Sequence, residues 1–399
     1  MVCSIIRDIL VNTEKKYGPE DAVRYKVSKN EIEAKSYTQL RKDSESFSCV
    51  LKALGEQGSH IAIIGATSYP WLVSYFGIVN SGSVAVPLDA LLPAEELCEL
   101  IDRADVTVLV LDQVRKDVGE MVREKCPKLK HVISMQQPAS DEKMLSFGQL
   151  LAEHEGVFDY FPEPDDLCTI MFTSGTTGKS KGVMLTQRNM AENATCFDMK
   201  IPDRTVLLSV LPIHHAYCLS MDILKGISLG AVICINDSLM RVAKNIKLFK
   251  PELMLMVPLM IEVMAKKLED VSGLPAKLVK NMVFGKQFHT ICSGGAYLNP
   301  DYIDLFNKYG ITILQGYGMT ECSPVISNNV SWNIKKNSVG RLLPNCEAKV
   351  VDEEIWVRGS SVMQGYYKMP EETAQTLEDG WLKTGDLGYV DDEGFIFLT

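Results

Sequence analysis

The first part of the chain alternates short apolar runs with amphipathic stretches of helical length. Strand-like runs occupy residues 60–64, 85–87 and 106–111, and helical patterns occupy 70–80, 94–104 and 114–126. Continuous apolar runs predict strands buried on both faces, and their alternation with helices predicts βαβ units around a parallel sheet. We therefore expect a first α/β subdomain over residues 1–165.

The same alternation continues beyond this point and then stops. Strand-like runs recur at 206–211, 231–235, 253–257, 290–293 and 312–315, with helical patterns at 219–228 and 240–249. After about residue 330, Gly, Asn and short alternating strands such as 354–358 dominate, which is typical of a small all-β unit. The predicted fold class is α/β: two βαβ-type subdomains with mostly parallel sheets covered by helices (1–165 and 166–330), plus a small β-barrel over 331–399.

Composition and charge exclude some of the functional classes to which the protein could belong. The 399 residues carry a net charge of −10, which argues against a nucleic-acid partner because such a protein needs a basic face. The 11 Cys have no C-x-x-C pairs or ligand spacing, which favours reduced thiols and a cytoplasmic protein. The most apolar stretch, 253–265, is interrupted by Pro258 and Glu262 and is too short to span a bilayer, so no transmembrane segment is predicted.

A stretch rich in glycine and hydroxyl groups follows the apolar run 167–172 and is the first sign of chemistry. Residues 173–182 read Thr-Ser-Gly-Thr-Thr-Gly-Lys-Ser-Lys-Gly. Glycines let backbone N–H groups converge on an anion, and the hydroxyl and ammonium groups add donors. A P-loop NTPase would need glycine at 173, where this chain has Thr, so that class is excluded. The candidate phosphate-binding residues are Thr173, Ser174, Gly175, Thr176, Thr177, Gly178 and Lys181.

A second block, 315–321, reads Gln-Gly-Tyr-Gly-Met-Thr-Glu and follows a predicted strand. Tyr317 offers a flat face for stacking on a purine, and Thr320 offers a hydroxyl to a phosphate. Glu321 offers the carboxylate oxygen that Mg2+ prefers. In a later block, 381–388, Asp386 on a glycine turn suits the two hydroxyls of a ribose because a carboxylate accepts two hydrogen bonds.

Five blocks in this order, at 173–182, 211–217, 293–298, 315–321 and 381–388, resemble the adenylate-forming superfamily of acyl-CoA synthetases, luciferases and adenylation domains. The resemblance is strongest to bacterial fatty-acyl-CoA ligases. It implies ATP, Mg2+ and coenzyme A as cofactors, and catalytic roles for Thr320, Glu321 and His215, with His215 lining the passage for the carboxylate and the pantetheine. It also implies an adenine and ribose site formed by Gly294, Gly295, Ala296, Gln315, Gly316, Tyr317 and Asp386.

The reaction that the resemblance implies is ATP-dependent conversion of a carboxylic acid to acyl-AMP with release of pyrophosphate, followed by transfer to the CoA thiol. No general base is needed in the first step because a carboxylate is already ionised at neutral pH. Tyr217 and Val257 are the candidate acyl-pocket residues. No acidic residue follows His215 until Asp222, so a fatty or other acyl acid is favoured over an amino acid, whose ammonium would need a carboxylate partner.

The chain ends at Thr399, where the family's hinge and mobile C-terminal lid would begin. We therefore expect the large N-terminal domain alone, with the lid absent and with impaired activity. Two alternatives stay open: an adenylation domain that loads a carrier protein, and a nucleotide-binding module without turnover. The segment 359–367 is predicted to be mostly structural.

Overall fold

A computed structural model of the protein describes residues 1–28, 31–136, 143–173, 179–271 and 273–399. The strands in the described part of the chain are β1 (Asp21–Lys26), β2 (Ile32–Ser36), β3 (His60–Ile64), β4 (Val84–Leu88), β5 (Val106–Leu111), β6 (His131–Ser134), β7 (Leu145–Ser146), β8 (Leu167–Thr173), β9 (Lys181–Thr186), β10 (Val206–Ser209), β11 (Val232–Ile235), β12 (Leu253–Met256), β13 (Thr290–Ser293), β14 (Thr312–Gly318), β15 (Val325–Asn328), β16 (Arg341–Leu342), β17 (Cys346–Val351), β18 (Glu354–Gly359), β19 (Gly365–Tyr366), β20 (Leu377–Glu378), β21 (Trp381–Val390) and β22 (Ile396–Leu398). The α-helices are α1 (Ile6–Tyr17), α2 (Tyr37–Ala53), α3 (Tyr69–Asn80), α4 (Ala94–Arg103), α5 (Lys116–Lys125), α6 (Phe147–Glu153), α7 (Gln187–Thr195), α8 (Lys225–Ser228), α9 (Val242–Phe249), α10 (Pro258–Glu269), α11 (Ala276–Val283), α12 (Asp301–Lys308) and α13 (Pro370–Thr376).

The first sheet has eight strands in the order β19-β9-β8-β4-β3-β5-β6-β7, and its central strands are parallel. Successive side chains of a strand point to opposite faces. In β3, Ile61 and Ile63 accordingly join one apolar cluster, while Ala62 and Ile64 join the other. The sheet is therefore covered by helices on both faces, as its continuous apolar strands predict.

The second sheet has nine strands in the order β16-β15-β14-β13-β12-β10-β11-β1-β2. The strands from β14 to β1 along this order run parallel, and β15, β16 and β2 extend the two edges antiparallel. The carboxyl ends of parallel strands meet at one edge of a sheet, where ligands bind in open α/β folds. The segments after β10, β12 and β13, and the end of β14, therefore lie side by side.

A third sheet is formed by β17, β18, β21, β20 and β22, all paired antiparallel. Strands also cross the predicted subdomain boundaries, because β1 and β2 join the second sheet while β8, β9 and β19 join the first. The division at residues 165 and 330 therefore stays a prediction, whereas the α/β class with mostly parallel, helix-covered sheets is confirmed.

Two local differences from the predicted elements bear on the site. The helix predicted over 219–228 is π-helical over Cys218–Leu224 and becomes α-helical only in α8. Apolar periodicity could not reveal this, because both helix types bury one face. The block at 315–321 does not simply follow a strand, since β14 continues through Tyr317 to Gly318.

The predictions of reduced cysteines and of no transmembrane segment can also be compared with the structure. All 11 cysteines are free, and nine of them are buried. Within the described residues, no helix combines the length and the apolarity needed to cross a bilayer.

Candidate functional site

A buried carboxylate, a phenol and an ammonium group lie together beside the first sheet. Glu321 sits in the short 3-10 turn that follows β14 and is only 9% exposed. The Tyr366 hydroxyl donates a hydrogen bond to Glu321 Oε1 at 2.7 Å. Lys181 Nζ lies 4.9 Å from the centre of the Tyr366 ring. The predicted metal-binding carboxylate and the predicted phosphate-binding lysine therefore contact the same side chain.

Strand pairing brings these residues together. Tyr366 lies in β19, which pairs antiparallel with β9, and Lys181 is the first residue of β9. Burial, and then the negative charge of Glu321, raise the pKa of Tyr366, so the phenol keeps its proton and remains a donor at neutral pH. Tyr366 is not among the predicted site residues, because the sequence predicts a mostly structural role for the segment 359–367. The sequence feature that could have pointed to Tyr366 is the pair of consecutive tyrosines after Gly365.

The two ends of the predicted phosphate loop are neighbours. Thr173 ends β8 and is paired across the antiparallel ladder with Lys181. The other predicted loop residues lie outside the described part of the chain, so their assignment to phosphate stays a prediction: Ser174, Gly175, Thr176, Thr177 and Gly178. Thr320, directly before Glu321, is half-buried and starts the 3-10 turn.

A cavity of about 60 Å3 lies at the carboxyl ends of β13 and β14. Its lining includes Tyr217, Met221, Cys292, Gly294, Gly295, Gly316 and Tyr317. A Cβ atom at Gly294 would lie 3.2 Å from the Tyr217 ring, and one at Gly316 would lie 2.8 Å from Asn328 Oδ1. The predicted adenine-site glycines therefore border the same space as Tyr217, which was predicted for the acyl pocket. Gln315 is buried in β14, and Ala296 is exposed after Gly295.

Tyr317, predicted to stack on the purine, and Asp386, predicted to bind the ribose, are joined by a hydrogen bond. The Tyr317 hydroxyl donates to Asp386 Oδ2 at 2.6 Å, across 69 residues of sequence. Asp386 follows Gly385, whose φ of +75° suits glycine. Both residues lie within the strand β21 and not on the predicted glycine turn. Burial and this hydrogen bond raise the pKa of Tyr317, so its hydroxyl stays protonated. The bond holds the aromatic ring and the carboxylate in a defined relative orientation.

The histidine pair lies in the segment that follows β10. The rings of His214 and His215 are 4.2 Å apart, and His214 Nε2 is 3.7 Å from Asp89 Oδ2, which is beyond hydrogen-bonding distance. Burial, and then the neighbouring His215, lower the pKa of His214. His214 is therefore neutral at pH 7. His215 is exposed, and its role in lining a substrate passage stays a prediction.

Val257, the second predicted acyl-pocket residue, lies near the cavity that Tyr217 lines. It precedes α10, and its Cγ1 would be 3.8 Å from a Cβ placed on Gly295. Val257 is thus adjacent to the glycine loop at this edge of the sheet. Its role in the acyl pocket stays a prediction.

The nearest acidic residue after the histidines is enclosed in the core. Asp222 has no exposed surface, its Oδ2 accepts a hydrogen bond from Ser209 at 2.8 Å, and its Oδ1 has no partner among the described residues. Burial raises the pKa of Asp222 to about 7, although the hydrogen bonds from Ser209 and Cys218 oppose the shift. Asp222 is not part of the cavity lining, so it is not placed to pair with a substrate ammonium.

Replacing Asp222 by asparagine is expected to reduce the pH dependence of folding stability. Because the folded pKa is raised, the stabilising contribution is complete below the unfolded pKa near 4 and is lost as the pH rises toward 7. Urea unfolding at about pH 5 and about pH 8 should show that the native protein loses about 2 to 3 kcal/mol more than the Asp222→Asn variant. Equal losses in both proteins would show that Asp222 ionises normally when folded.

Comparison with known proteins identifies the family of the chain. The profile of the family described as "AMP-binding enzyme" matches residues 12–367. A long-chain-fatty-acid–CoA ligase of Escherichia coli O157:H7 is 27% identical over 420 residues, covering 91% of this chain and 72% of that protein. A 4-coumarate–CoA ligase-like 6 protein of Arabidopsis thaliana is 34% identical over 273 residues, and the match covers 60% of this chain and 46% of that protein. The chain thus spans less than half of the second relative.

The fold is also shared with solved structures. The structure of the anthranilate CoA ligase AuaEII in complex with anthranoyl-AMP superimposes with a TM-score of 0.88 at 21% sequence identity. The match covers 99% of this chain and 77% of that one. At this identity the likeness establishes the fold alone.

Proposed function

Because the chain belongs to the AMP-binding enzyme family, we propose that it converts a carboxylic acid and ATP to acyl-AMP and pyrophosphate, and then passes the acyl group to the thiol of coenzyme A. The observation that carries the proposal is the contact of Glu321 and Lys181 with the same tyrosine, Tyr366. This contact supports the proposal because it brings a carboxylate suited to a metal ion and an ammonium group suited to a phosphate to one site. Both relatives described above are named as CoA ligases or as like them, which supports the choice of acceptor.

The first step needs positioning rather than proton transfer. An oxygen of the ionised carboxylate attacks the α-phosphorus of ATP, and the bond from that phosphorus to the pyrophosphate oxygen breaks. Negative charge accumulates on phosphate oxygens during this step, so fixed positive charge and donors lower the barrier. Lys181 and the hydroxyl of Thr320 would supply them. In the second step the thiol sulfur attacks the acyl carbon, AMP leaves, and the thiol proton passes to solvent.

The residues present fit a magnesium ion that is brought with ATP. Mg2+ is usually held by one or two carboxylates together with substrate phosphates, and Glu321 supplies one buried carboxylate whose Oε2 is not used by Tyr366. When bound, the ion would neutralise charge on the phosphate oxygens. The role of the Tyr366 hydroxyl is to orient that carboxylate.

The nucleoside half of ATP would bind beside Tyr317. Its ring borders the cavity with Gly294 and Gly295, where backbone can approach a flat base closely. Asp386, held by the Tyr317 hydroxyl, would accept the ribose hydroxyls. Glycines therefore line the adenine side, and the carboxylate marks the ribose side.

An acyl acid fits the remaining space better than an amino acid. Among the described residues that line the cavity there is no carboxylate to pair with a substrate ammonium. The residues on the acyl side, Tyr217 and Met221, are apolar or aromatic. The acyl chain would therefore run past Tyr217 toward Met221.

Exchange of labelled pyrophosphate into ATP tests this function with the full chain. We expect exchange that depends on acyl acids and is not supported by amino acids, because the cavity lacks an anionic partner for an ammonium group. Addition of coenzyme A should then yield a thioester and AMP. Exchange with amino acids alone would contradict the acyl assignment, and thioester formation on a carrier protein but not on CoA would contradict the proposed acceptor.

A further inference from the structure

A second, smaller cavity lies next to the cavity that Tyr217 lines. The first cavity has a volume of about 60 Å3 and the second about 20 Å3. Met221 and Cys292 are common to both linings, and they are only 6% and 4% exposed. We call these two side chains the Met221–Cys292 partition. A movement of the partition would join the two spaces into one passage that starts beside the nucleotide site.

The second cavity is lined mainly by aliphatic and thioether side chains. They include Met199, Ile201, Leu207, Leu229, Leu253 and Leu255. Such a lining suits a methylene chain, because apolar surface is stabilised when it leaves water. Lys225 is the only charged side chain among the described residues of this lining.

Lys225 is a buried cation without a carboxylate partner. It is 4% exposed, its ammonium donates to the backbone oxygen of Phe197, and it lies 4.3 Å from the centre of the Phe197 ring. No carboxylate oxygen lies within ion-pair distance of the Lys225 ammonium among the described residues. The nearby Asp198 acts on the Lys225 charge only from a greater distance and pairs directly with Lys200 at 2.7 Å. Burial lowers the pKa of Lys225 to about 8, which still leaves it charged at neutral pH. Buried charges are normally paired.

We propose that the acid activated at this site carries a second carboxylate at the far end of its aliphatic chain, which passes the Met221–Cys292 partition and pairs with the Lys225 ammonium. This inference rests on the proposed function and names its substrate class as α,ω-dicarboxylic acids. The chain would occupy the apolar lining between the two carboxylates, and the distal carboxylate would provide the direct ion-pair partner that Lys225 lacks among the described residues.

The partition is suited to such a movement. Met221 is unbranched and has three rotatable bonds, so it adapts its shape more easily than other apolar residues. It lies in the π-helical segment Cys218–Leu224, a backbone form that is frequent at functional sites. An ammonium group has only donors, so its partner must be an acceptor. A distal amine would meet no carboxylate here, because Asp222 lines neither cavity.

Binding of stable acyl-adenylate mimics tests the proposal without relying on turnover. Matched pairs of acyl-sulfamoyl adenosines would be prepared from diacids (adipic, suberic and sebacic) and from the monoacids of equal length, and titrated by calorimetry. At one length of the series we expect the diacid mimic to bind the native chain about tenfold more tightly than its monoacid partner. Lys225→Met should abolish this preference and leave monoacid binding unchanged.

Two further variants keep the test decisive if Lys225→Met does not fold. Lys225→Arg retains the cation and should retain the preference for the diacid. Ile201→Trp should fill the second cavity, which Ile201 lines and the first cavity does not share, so that long mimics of both classes weaken while a mimic of acetic acid still binds. Monoacid mimics that bind tightly with no preference for any diacid would overturn this inference alone. Failure of every adenosine mimic to bind would instead contradict the proposed function.

Discussion

The Glu321→Gln variant is expected to lose at least about 100-fold in acid-dependent pyrophosphate exchange. Glutamine has nearly the same shape and its carbonyl oxygen can still accept the hydrogen bond that Tyr366 donates to Oε1. The substitution therefore removes the charge that would hold Mg2+ while preserving the buried contact. Calorimetric titrations should show that binding of ATP with Mg2+ weakens strongly, while binding of AMP without metal is nearly unchanged.

The Tyr366→Phe variant is the matched control for this prediction. It keeps the aromatic ring near Lys181 but removes the hydroxyl that orients Glu321. We expect a smaller loss of exchange, about tenfold, because one orienting hydrogen bond is removed while the metal ligand remains. If Glu321→Gln weakened AMP and Mg·ATP equally, the carboxylate would have a structural role and the metal assignment would be wrong.

The Asp386→Asn variant is expected to bind ATP and AMP about 100-fold more weakly, with or without Mg2+. An ionised carboxylate can accept hydrogen bonds from both ribose hydroxyls, whereas an amide has one acceptor oxygen and places donors at the other position. Both nucleotides share the ribose, so they should lose similar affinity. Calorimetry with AMP and with ATP measures this directly.

The deoxy analogues of AMP sharpen the test of Asp386. The native chain should bind 2′-deoxy-AMP more weakly than AMP, and Asp386→Asn should cost less affinity for this analogue, because part of the contact is already missing. Tyr317→Phe serves as the control, since it removes only the hydroxyl that bonds to Asp386 and keeps the ring face. Unchanged AMP affinity in Asp386→Asn would contradict the ribose assignment.

The sequence alone identified some of the residues on which these predictions depend, but not all of them. Glu321, Tyr317 and Asp386 occur in blocks whose composition already indicated metal, base and ribose. The structure adds that Tyr317 and Asp386 share a hydrogen bond. Tyr366, by contrast, lies in a segment that looked structural, and only its contact with Glu321 indicates a functional role.

The regular elements of the first sheet could be predicted closely. The strands at 60–64 and 106–111 were found at those residues, and the helix at 70–80 begins one residue earlier than predicted. Strands buried on both faces are continuous apolar runs, and Ser68 with Pro70 marks the start of the helix. These patterns involve only neighbouring residues, so they can be recognised in a single sequence.

Helix type and sheet membership could not be read from local patterns. The segment 219–228 has an apolar face that an α-helix or a π-helix could bury, and the structure is π-helical over Cys218–Leu224. Strand β1 lies near the start of the chain but pairs with β11, about 200 residues later. Such pairings depend on contacts between distant segments, which the local hydrophobic pattern does not encode.

The sequence by itself therefore determined the α/β class and the order of the chemical blocks, and it predicted the nucleotide chemistry, because these depend on residue type and short-range spacing. The tertiary structure alone decided that Lys181, Tyr366 and Glu321 meet, that Asp222 is sealed in the core, and that Lys225 borders a cavity next to the one that Tyr217 lines. These facts follow from strand pairing and burial. A side chain acquires its partners and its pKa only when packing brings distant segments together and removes water.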